Sequence, residues 1–337
     1  MAFWKRILPA IVLVFLAPII AEYLIGDIPV ERLYLLGFVG PIYGFGSLFI
    51  REIARRTGRG WPTMIALAFV YGVLEEGVFD QSLFNPNFLN AHLLDYGYIP
   101  ALGMGSVLTV FVLSLHVVWS ISAPIGLVEL LFSRRRTEPW LGTFGLVISI
   151  VLYAAGGTLM TRQFLRTFSA SDYQYALVAI LTLAGLAVAF LVLRPRASGS
   201  RIPGTAPQPW LIAGFAFGAS TIAMLLFQHG KPWGVPAAVT AAGIFALDIF
   251  GLIYIFGSAR RSGWSNMHRF ALVAGVLLTY CWSGFFTLVS LNGPATIPSH
   301  AGLVAACISL LGFLWWKLRR IQTMTQEQGM GCGTVRI

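Results

Sequence analysis

The chain has 337 residues, of which 57% are hydrophobic and only 11% are charged. Ordinary globular domains carry about 25% charged residues, so this composition excludes a soluble protein. The net charge of +10 could suggest nucleic-acid binding, but the basic residues cluster at the ends of apolar segments. That distribution is typical of a membrane topology signal, and we expect no nucleic-acid partner.

Apolar runs of about 20 residues, the length that spans a bilayer, recur along most of the chain. They predict an all-α fold, a polytopic transmembrane helical bundle of about ten spans. The predicted spans are 7–26, 33–50, 62–84, 103–127, 141–160, 174–193, 209–228, 235–257, 270–291 and 299–316. A transmembrane β-barrel would need segments of about ten residues with alternating polarity, and the sequence shows none.

Arginine and lysine residues mark one side of the predicted bundle. They follow the second, fourth and sixth spans, separate the eighth from the ninth, and flank both ends of the chain. Only Arg32, Arg162, Arg166 and Lys231 fall on the opposite side. The positive-inside rule therefore predicts that both termini are cytoplasmic. The lipid bilayer is the first predicted partner, and the inner basic residues could also hold anionic headgroups.

The first apolar segment follows two basic residues, as in a secretory signal peptide. It continues past Pro18 to Ile25 without a clean cleavage site, so we predict a retained first helix. The three cysteines show no paired spacing, and neither a disulfide framework nor a zinc site is predicted. Arginines outnumber lysines twenty to three, which suggests a GC-rich genome, and we expect a multi-pass protein of a bacterial plasma membrane.

A stretch rich in proline, glycine and serine divides the chain. Residues 195–208 predict a flexible cytoplasmic linker between an N-terminal six-helix membrane part, 1–194, and a C-terminal four-helix part, 209–316. Residues 317–337 are polar and rich in glycine and predict a disordered cytoplasmic tail. Ten spans would also permit two five-helix inverted repeats, although the two halves show no convincing similarity.

Two adjacent acidic residues, Glu75 and Glu76, lie within the third predicted span. A charged side chain at the centre of a bilayer costs roughly 2.5–3.5 kcal/mol on insertion scales, so such residues are typical of functional sites. The fourth span carries His116 near its midpoint, and antiparallel neighbouring helices would bring it level with the glutamates. The sequence therefore predicts a buried site made of Glu75, Glu76 and His116.

Helical periodicity adds further groups to this predicted site. Tyr71 lies one turn below the first glutamate, Asp80 lies on the face of the second, and Ser120 lies one turn inward of the histidine. Asp248, the only acid of the eighth span, is a further candidate for lining the site. The third helix is expected to end just before Pro86, because proline disfavours helical geometry in the residue that precedes it.

The chemistry open to this set is specific in kind. Two close carboxylates cannot easily both ionise, so one becomes a proton donor and the other an acceptor. A glutamate within reach of a histidine can activate water, with or without a metal. The same groups could instead neutralise one another and hold two helices together. The sequence identifies no metal site, and the cofactor stays unknown.

The pair Glu75-Glu76, with His116 in the next span, resembles the CPBP family of intramembrane proteases. That family includes CAAX-prenyl endopeptidases and bacteriocin-processing or immunity proteins. The resemblance covers residues 62–132. The family's first motif continues to an arginine at the position of Asp80, and the next motif has a phenylalanine four residues before the histidine, where this chain has a valine. The third family motif, a histidine followed four residues later by asparagine or aspartate, is not found.

The resemblance implies an intramembrane peptidase in which Glu75 or Glu76, with His116, activates water to cleave a membrane peptide or protein. The missing third motif would remove its oxyanion support. Two alternatives stay open. One is a proton- or cation-coupled transporter that uses both glutamates together with Asp80 and Asp248. The other is a non-catalytic membrane scaffold or immunity-type protein.

Overall fold

The computed structural model describes residues 2–193, 195 and 201–331. Within them, ten helical segments are long and apolar enough to cross a membrane, which confirms the predicted all-α bundle. We label these spans α1 (Arg6–Leu24), α2 (Val30–Arg56), α3 (Trp61–Phe79), α4 (Ser106–Leu131), α5 (Thr143–Phe164), α6 (Asp172–Val192), α7 (Pro209–His229), α8 (Ala237–Ala259), α9 (Asn266–Asn292) and α10 (Pro294–Thr323). Helices dominate because lipid offers no partners for backbone N–H and C=O groups, which must be satisfied within each span.

Several spans depart locally from α-helical geometry. π-helical turns end α1 (Ile19–Leu24), α3 (Glu75–Phe79) and α6 (Val188–Val192), and one interrupts α4 (His116–Ser122). A 3-10 turn begins α2 (Val30–Leu35). Outside the spans, the described residues add the short 3-10 turns Phe88–Asn90 and Ser133–Arg135 and a hairpin of β1 (Tyr98–Ile99) and β2 (Met104–Gly105).

The fourth span lies at the centre of the bundle. It contacts α3, α2 and α1 on one side and α8 and α9 on the other. Spans α3 and α9 are the most buried, whereas α6 and α8 are the most exposed. Apolar side chains such as Phe144, Ile180 and Phe250 are exposed on the peripheral helices. In a bilayer, lipid would cover them, and the polar residues of α3 and α4 would remain inside the protein.

The predicted N-terminal and C-terminal membrane parts pack against each other through α4. The rings of Phe111 and Phe227 stack with their centroids 3.8 Å apart. Trp119 stacks on Tyr280 at 4.6 Å and donates a hydrogen bond from Nε1 to the carbonyl oxygen of Val276 at 2.8 Å. The two parts thus share a packed interface in the structure. The division of the chain into these two parts stays a prediction.

The structure describes parts of the predicted linker and tail. Of the predicted linker, residues 195 and 201–208 are described; the backbone N–H groups of Ile202 and Ala206 donate hydrogen bonds to Arg260 and Ser262, in the loop between α8 and α9. The last helix is described as far as Gly331, and residues 317–331 contain many good helix formers that favour its continuation. The disorder of residues 317–337 stays a prediction. Residues 332–337 lie outside the described residues.

The third helix ends at Phe79, not at residue 84 as predicted. Its last turn is π-helical, and the N–H of Asp80 bonds to the carbonyl of Glu75, five residues earlier, at 3.0 Å. Gln81 then adopts a left-handed φ of 60° and turns the chain back, so that the N–H of Leu83 bonds to the carbonyl of Glu76 at 3.2 Å. The chain therefore folds over the glutamates several residues before the expected proline stop.

A second group of buried charges lies at the arginine-rich end of α2 and α4, which we call the inner end. Arg51 and Glu52 are fully buried and their side chains are 2.7 Å apart. Glu129 accepts hydrogen bonds from Arg55 at 2.7 and 2.8 Å and from Arg51 at 3.3 Å. Glu52 also accepts the backbone N–H of Trp140 at 2.8 Å. These bonds tie the loop between α4 and α5 to α2.

Candidate functional site

The predicted site residues lie in π-helical turns. Glu75 and Glu76 open the π-helical end of α3, and His116 opens the π-helical stretch of α4. Such a turn inserts an extra residue into the helix, which rotates the side chains that follow, and it is frequent at functional sites. The α-helical spacing from which the site was predicted does not reproduce this geometry, because a π-helical turn places side chains at other angles.

The side chains of Glu75, Glu76 and His116 converge on one nitrogen atom. His116 Nε2 lies 2.5 Å from Glu76 Oε1 and 2.7 Å from Glu75 Oε2. Only the contact with Glu76 has the geometry of a hydrogen bond, and Glu75 Oε2 has no hydrogen-bond partner among the described residues. The three residues are between 1% and 6% exposed. A single imidazole nitrogen thus faces two buried carboxylates.

Each glutamate has its other oxygen held by a hydroxyl group. The phenol of Tyr43, on α2, donates a hydrogen bond to Glu75 Oε1 at 2.9 Å. The hydroxyl of Ser82, in the segment that folds back after α3, donates to Glu76 Oε2. Both hydroxyls therefore orient a carboxylate so that its second oxygen points at the imidazole. Neither residue was predicted for the site, because neither is identified by helical spacing from the glutamates.

Aromatic rings and a glycine bring α3 and α4 together at this level. The ring centroids of Tyr71 and Tyr43 lie 5.7 and 6.2 Å from that of His116. A Cβ atom on Gly72 would lie 3.1 Å from the Cβ of His116, so the absence of a side chain allows the close approach. The Tyr71 hydroxyl is buried and has no hydrogen-bond partner among the described residues. It remains available as a donor beside the cluster.

Comparison with known protein families identifies the class of this chain. The model of an uncharacterized membrane protein family matches residues 11–323. The chain belongs to this membrane protein family. No curated protein and no solved structure matches it. The family found is not the CPBP family, so the resemblance stated above rests on the motif residues and not on a family match.

Family membership and the fold agree on the coarse description. The protein is a multi-pass membrane protein that sits in a lipid bilayer and carries a buried Glu/Glu/His cluster. Neither the family nor the fold names a reaction, a substrate or the membrane in which the protein resides.

Two further acids, which the sequence analysis passed over, act on this cluster from the end of α1. Glu22 interacts electrostatically with Tyr43, Glu75 and His116. Asp27 is exposed but interacts electrostatically with Glu76 and His116. The presence of Glu22 inside the first apolar segment was a signal that could have revealed this residue. The site therefore draws on α1, α2, α3 and α4.

Of the four residues predicted to line the site, two lie beside the cluster in the structure. Tyr71 and Asp80 are near the cluster, and Asp80 is buried, accepts the backbone N–H of Ser82 at 3.0 Å and interacts electrostatically with both glutamates. Ser120 is fully buried, and its carbonyl accepts a bond from a serine of α2. Asp248 instead accepts a hydrogen bond from Ser114.

Asp248 is not joined to the cluster by any contact that the structure shows within the described residues. Its partner Ser114 lies two positions before His116 and so projects from a different side of α4, about 200° around the helix. The transporter hypothesis grouped Asp248 with Glu75, Glu76 and Asp80, and of these four acids the structure brings only the three at the end of α3 together. The role of Asp248 in transport stays a prediction.

Proposed function

We propose that this protein is a membrane-embedded hydrolase in which Glu75, Glu76 and His116 activate a water molecule. The observation that carries the proposal is the convergence of two carboxylates on His116 Nε2, at 2.5 and 2.7 Å, inside a membrane-spanning bundle. General acid–base catalysis requires groups within about 2.6–3.2 Å of the protons they transfer. The resemblance to the CPBP proteases suggests an amide substrate, namely a membrane peptide or protein.

The hydrogen bonds of the two glutamates suggest different roles. Both oxygens of Glu76 are engaged, one by His116 and the other by Ser82, so its role is to orient the imidazole. Glu75 keeps Oε2 without a hydrogen bond, and this oxygen is the general base that takes a proton from water. The resulting hydroxide attacks the carbonyl carbon, and the proton passes through the cluster to the leaving amine.

The Tyr71 hydroxyl offers the support for the developing oxyanion that the missing family motif would otherwise provide. It is buried, has no partner among the described residues, and belongs to a ring in contact with His116. A preorganised donor aimed at developing charge in a low-dielectric site is usually a large catalytic term. We further place the protein in a bacterial plasma membrane with both termini cytoplasmic, from its arginine-rich inner loops.

Cleavage of quenched fluorescent transmembrane peptides in proteoliposomes tests this proposal. Glu75→Gln should lower the rate at least about 10²-fold, because the amide keeps the shape of the side chain but cannot accept the proton. Glu138→Gln, on the exposed inner loop, is the matched control and should cleave like the wild type. A peptide panel that the wild type leaves intact, or full activity in Glu75→Gln, would contradict the proposal.

A second candidate function, proton- or cation-coupled transport, is favoured by the balance of charge around the cluster. Five carboxyl groups, from Glu22, Asp27, Glu75, Glu76 and Asp80, interact with one another and with one histidine. No lysine or arginine is among the groups that act most strongly on them in the described part of the chain. Such a set can take up protons or a cation.

Flux measurements separate this candidate from the hydrolase. Proteoliposomes loaded with a pH-sensitive dye should report proton movement when a substrate gradient is applied. Glu76→Gln should abolish that proton movement. Empty liposomes and Glu138→Gln proteoliposomes set the leak rate. If the wild type shows no flux above that leak across a broad panel of solutes, the transport hypothesis is wrong. Cleavage of a peptide without any flux would favour the hydrolase.

A further inference from the structure

The acidic cluster needs a positive counterion, because unpaired carboxylates inside a membrane protein are costly. His116 is the one cation that the described residues supply within hydrogen-bond distance of Glu75 and Glu76, and it carries charge only when protonated. Glu22 and Asp27 add to the negative charge from the end of α1. A bound cation would neutralise this excess without requiring every carboxyl group to hold a proton.

The donor atoms are arranged as a metal-ion site would require. One atom from each of Glu75, Glu76 and His116 lies within 4.8 Å of the others. Three protein ligands of nitrogen and oxygen type leave at least one position for water, as in catalytic zinc sites. A mixed imidazole and carboxylate set also suits Mn²⁺, Fe²⁺ and Co²⁺. The set is therefore complete enough to bind a transition metal.

The groups that surround these donors point in the same direction. Tyr43 and Ser82 each hold the outer oxygen of one glutamate, so that the remaining oxygens face His116 Nε2. Hydrogen bonds of this kind orient ligating carboxylates in metal sites. Independently, the Tyr71 hydroxyl is almost fully buried, has no partner among the described residues and interacts electrostatically with both glutamates. A metal-bound water would give this phenol the partner it lacks.

We propose that Glu75, Glu76 and His116 bind one divalent transition-metal ion such as Zn²⁺, with Glu22 tuning the site through Tyr43. The inference rests on the proposed hydrolase and changes one role within it: Glu75 Oε2 would bind the ion, and the ion would activate the water by lowering its pKa. Tetrahedral ligands at about 2.0–2.1 Å from zinc lie roughly 3.3 Å apart. The ion would therefore replace the present hydrogen bond and separate the donor atoms slightly.

Glu22 lies on a third helix, α1, and adds negative charge to the site that α3 and α4 form. The Tyr43 phenol, whose O–H donates to Glu75, also interacts electrostatically with the carboxyl group of Glu22. When the metal draws Glu75 toward itself, the charge of Glu22 adds to the attraction of the site for a cation. Glu22→Gln keeps the shape of the side chain but removes that charge. We expect it to weaken metal binding about 10-fold, the lower end of the loss in affinity that follows when a group supporting a metal ligand is replaced.

The test is metal binding by the purified full-length chain in detergent, stripped with EDTA and then titrated with Zn²⁺ by calorimetry, with stoichiometry from elemental analysis. The wild type should bind one equivalent, and Glu75→Gln and His116→Gln should each lose it. His300→Gln is the matched control, because His300 is also buried and its Nε2 has no hydrogen-bond partner among the described residues, but it belongs to α10. Absence of binding in the wild type, or equal binding in all variants, would overturn the proposal.

Two readouts keep the outcome independent of variant folding and of the hydrolase proposal. Co²⁺ bound to the wild type should show visible absorption bands of a four- or five-coordinate site, and their absence would overturn the assignment even if no variant folds. Cleavage that persists in EDTA would refute the metal and leave the hydrolase standing. A metal bound by the cluster without any cleavage would refute the hydrolase and leave the metal site standing.

Discussion

Replacing Glu129 with alanine is expected to lower the free energy of unfolding by about 3–5 kcal/mol, the usual cost of removing one partner of a buried ion pair. Glu129 is 3% exposed and accepts hydrogen bonds from both Arg55 and Arg51. Arg51 would keep Glu52 and the carbonyl of Arg136, at 2.7 and 2.9 Å. Arg55 would lose the carboxylate that it contacts through both Nε and Nη2.

Reversible unfolding in mixed detergent micelles measures this difference. Glu138→Ala is the matched control at the same inner end, in the loop that follows α4, because Glu138 pairs with Arg135 at 3.4 Å at an exposed position. Exposed pairs contribute about 0–1 kcal/mol, so this variant should unfold almost like the wild type. Equal losses in the two variants would show that the buried network carries no special stability, and that the arginine-rich end is held by packing alone.

Replacing His116 with glutamine is expected to reduce hydrolysis by about 10²–10⁴-fold, the range that general acid–base catalysis provides. Glutamine can still exchange hydrogen bonds with Glu75 and Glu76, but it cannot carry a proton between them and the substrate. The variant should therefore remain folded, which size-exclusion chromatography and thermal unfolding in detergent would show. This choice separates the chemical role of the imidazole from its role in packing α3 against α4.

His92→Gln is the control for this variant, because His92 is exposed in the loop between α3 and α4. It should cleave membrane peptides at the wild-type rate. If His116→Gln retains full cleavage, the imidazole is not part of the chemistry. If the protein never cleaves a peptide and His116→Gln only lowers its thermal stability, the result favours the scaffold hypothesis. The cluster would then serve to hold α3 and α4 together.

The pairing of the glutamates with the histidine could be predicted because it depends on few assumptions. Glu75, Glu76 and His116 are ionisable groups at similar depth in consecutive antiparallel spans, and a buried carboxylate must find a partner. Their geometry could not be predicted, because π-helical turns at Glu75–Phe79 and His116–Ser122 reorient these side chains. Local sequence does not specify such turns, because their stability depends on how the neighbouring helices pack against the extra residue.

The number of spans, their approximate limits and the basic character of one side followed from the sequence alone, because each depends on a single stretch of about 20 residues and its flanks. The rest was decided by tertiary structure. Tyr43 and Glu22 reach the cluster from α2 and α1, Ser82 reaches it because α3 ends early, and Asp248 binds Ser114 instead. Contacts between residues far apart in sequence depend on how whole helices pack, and hydrophobic periodicity carries no information about them.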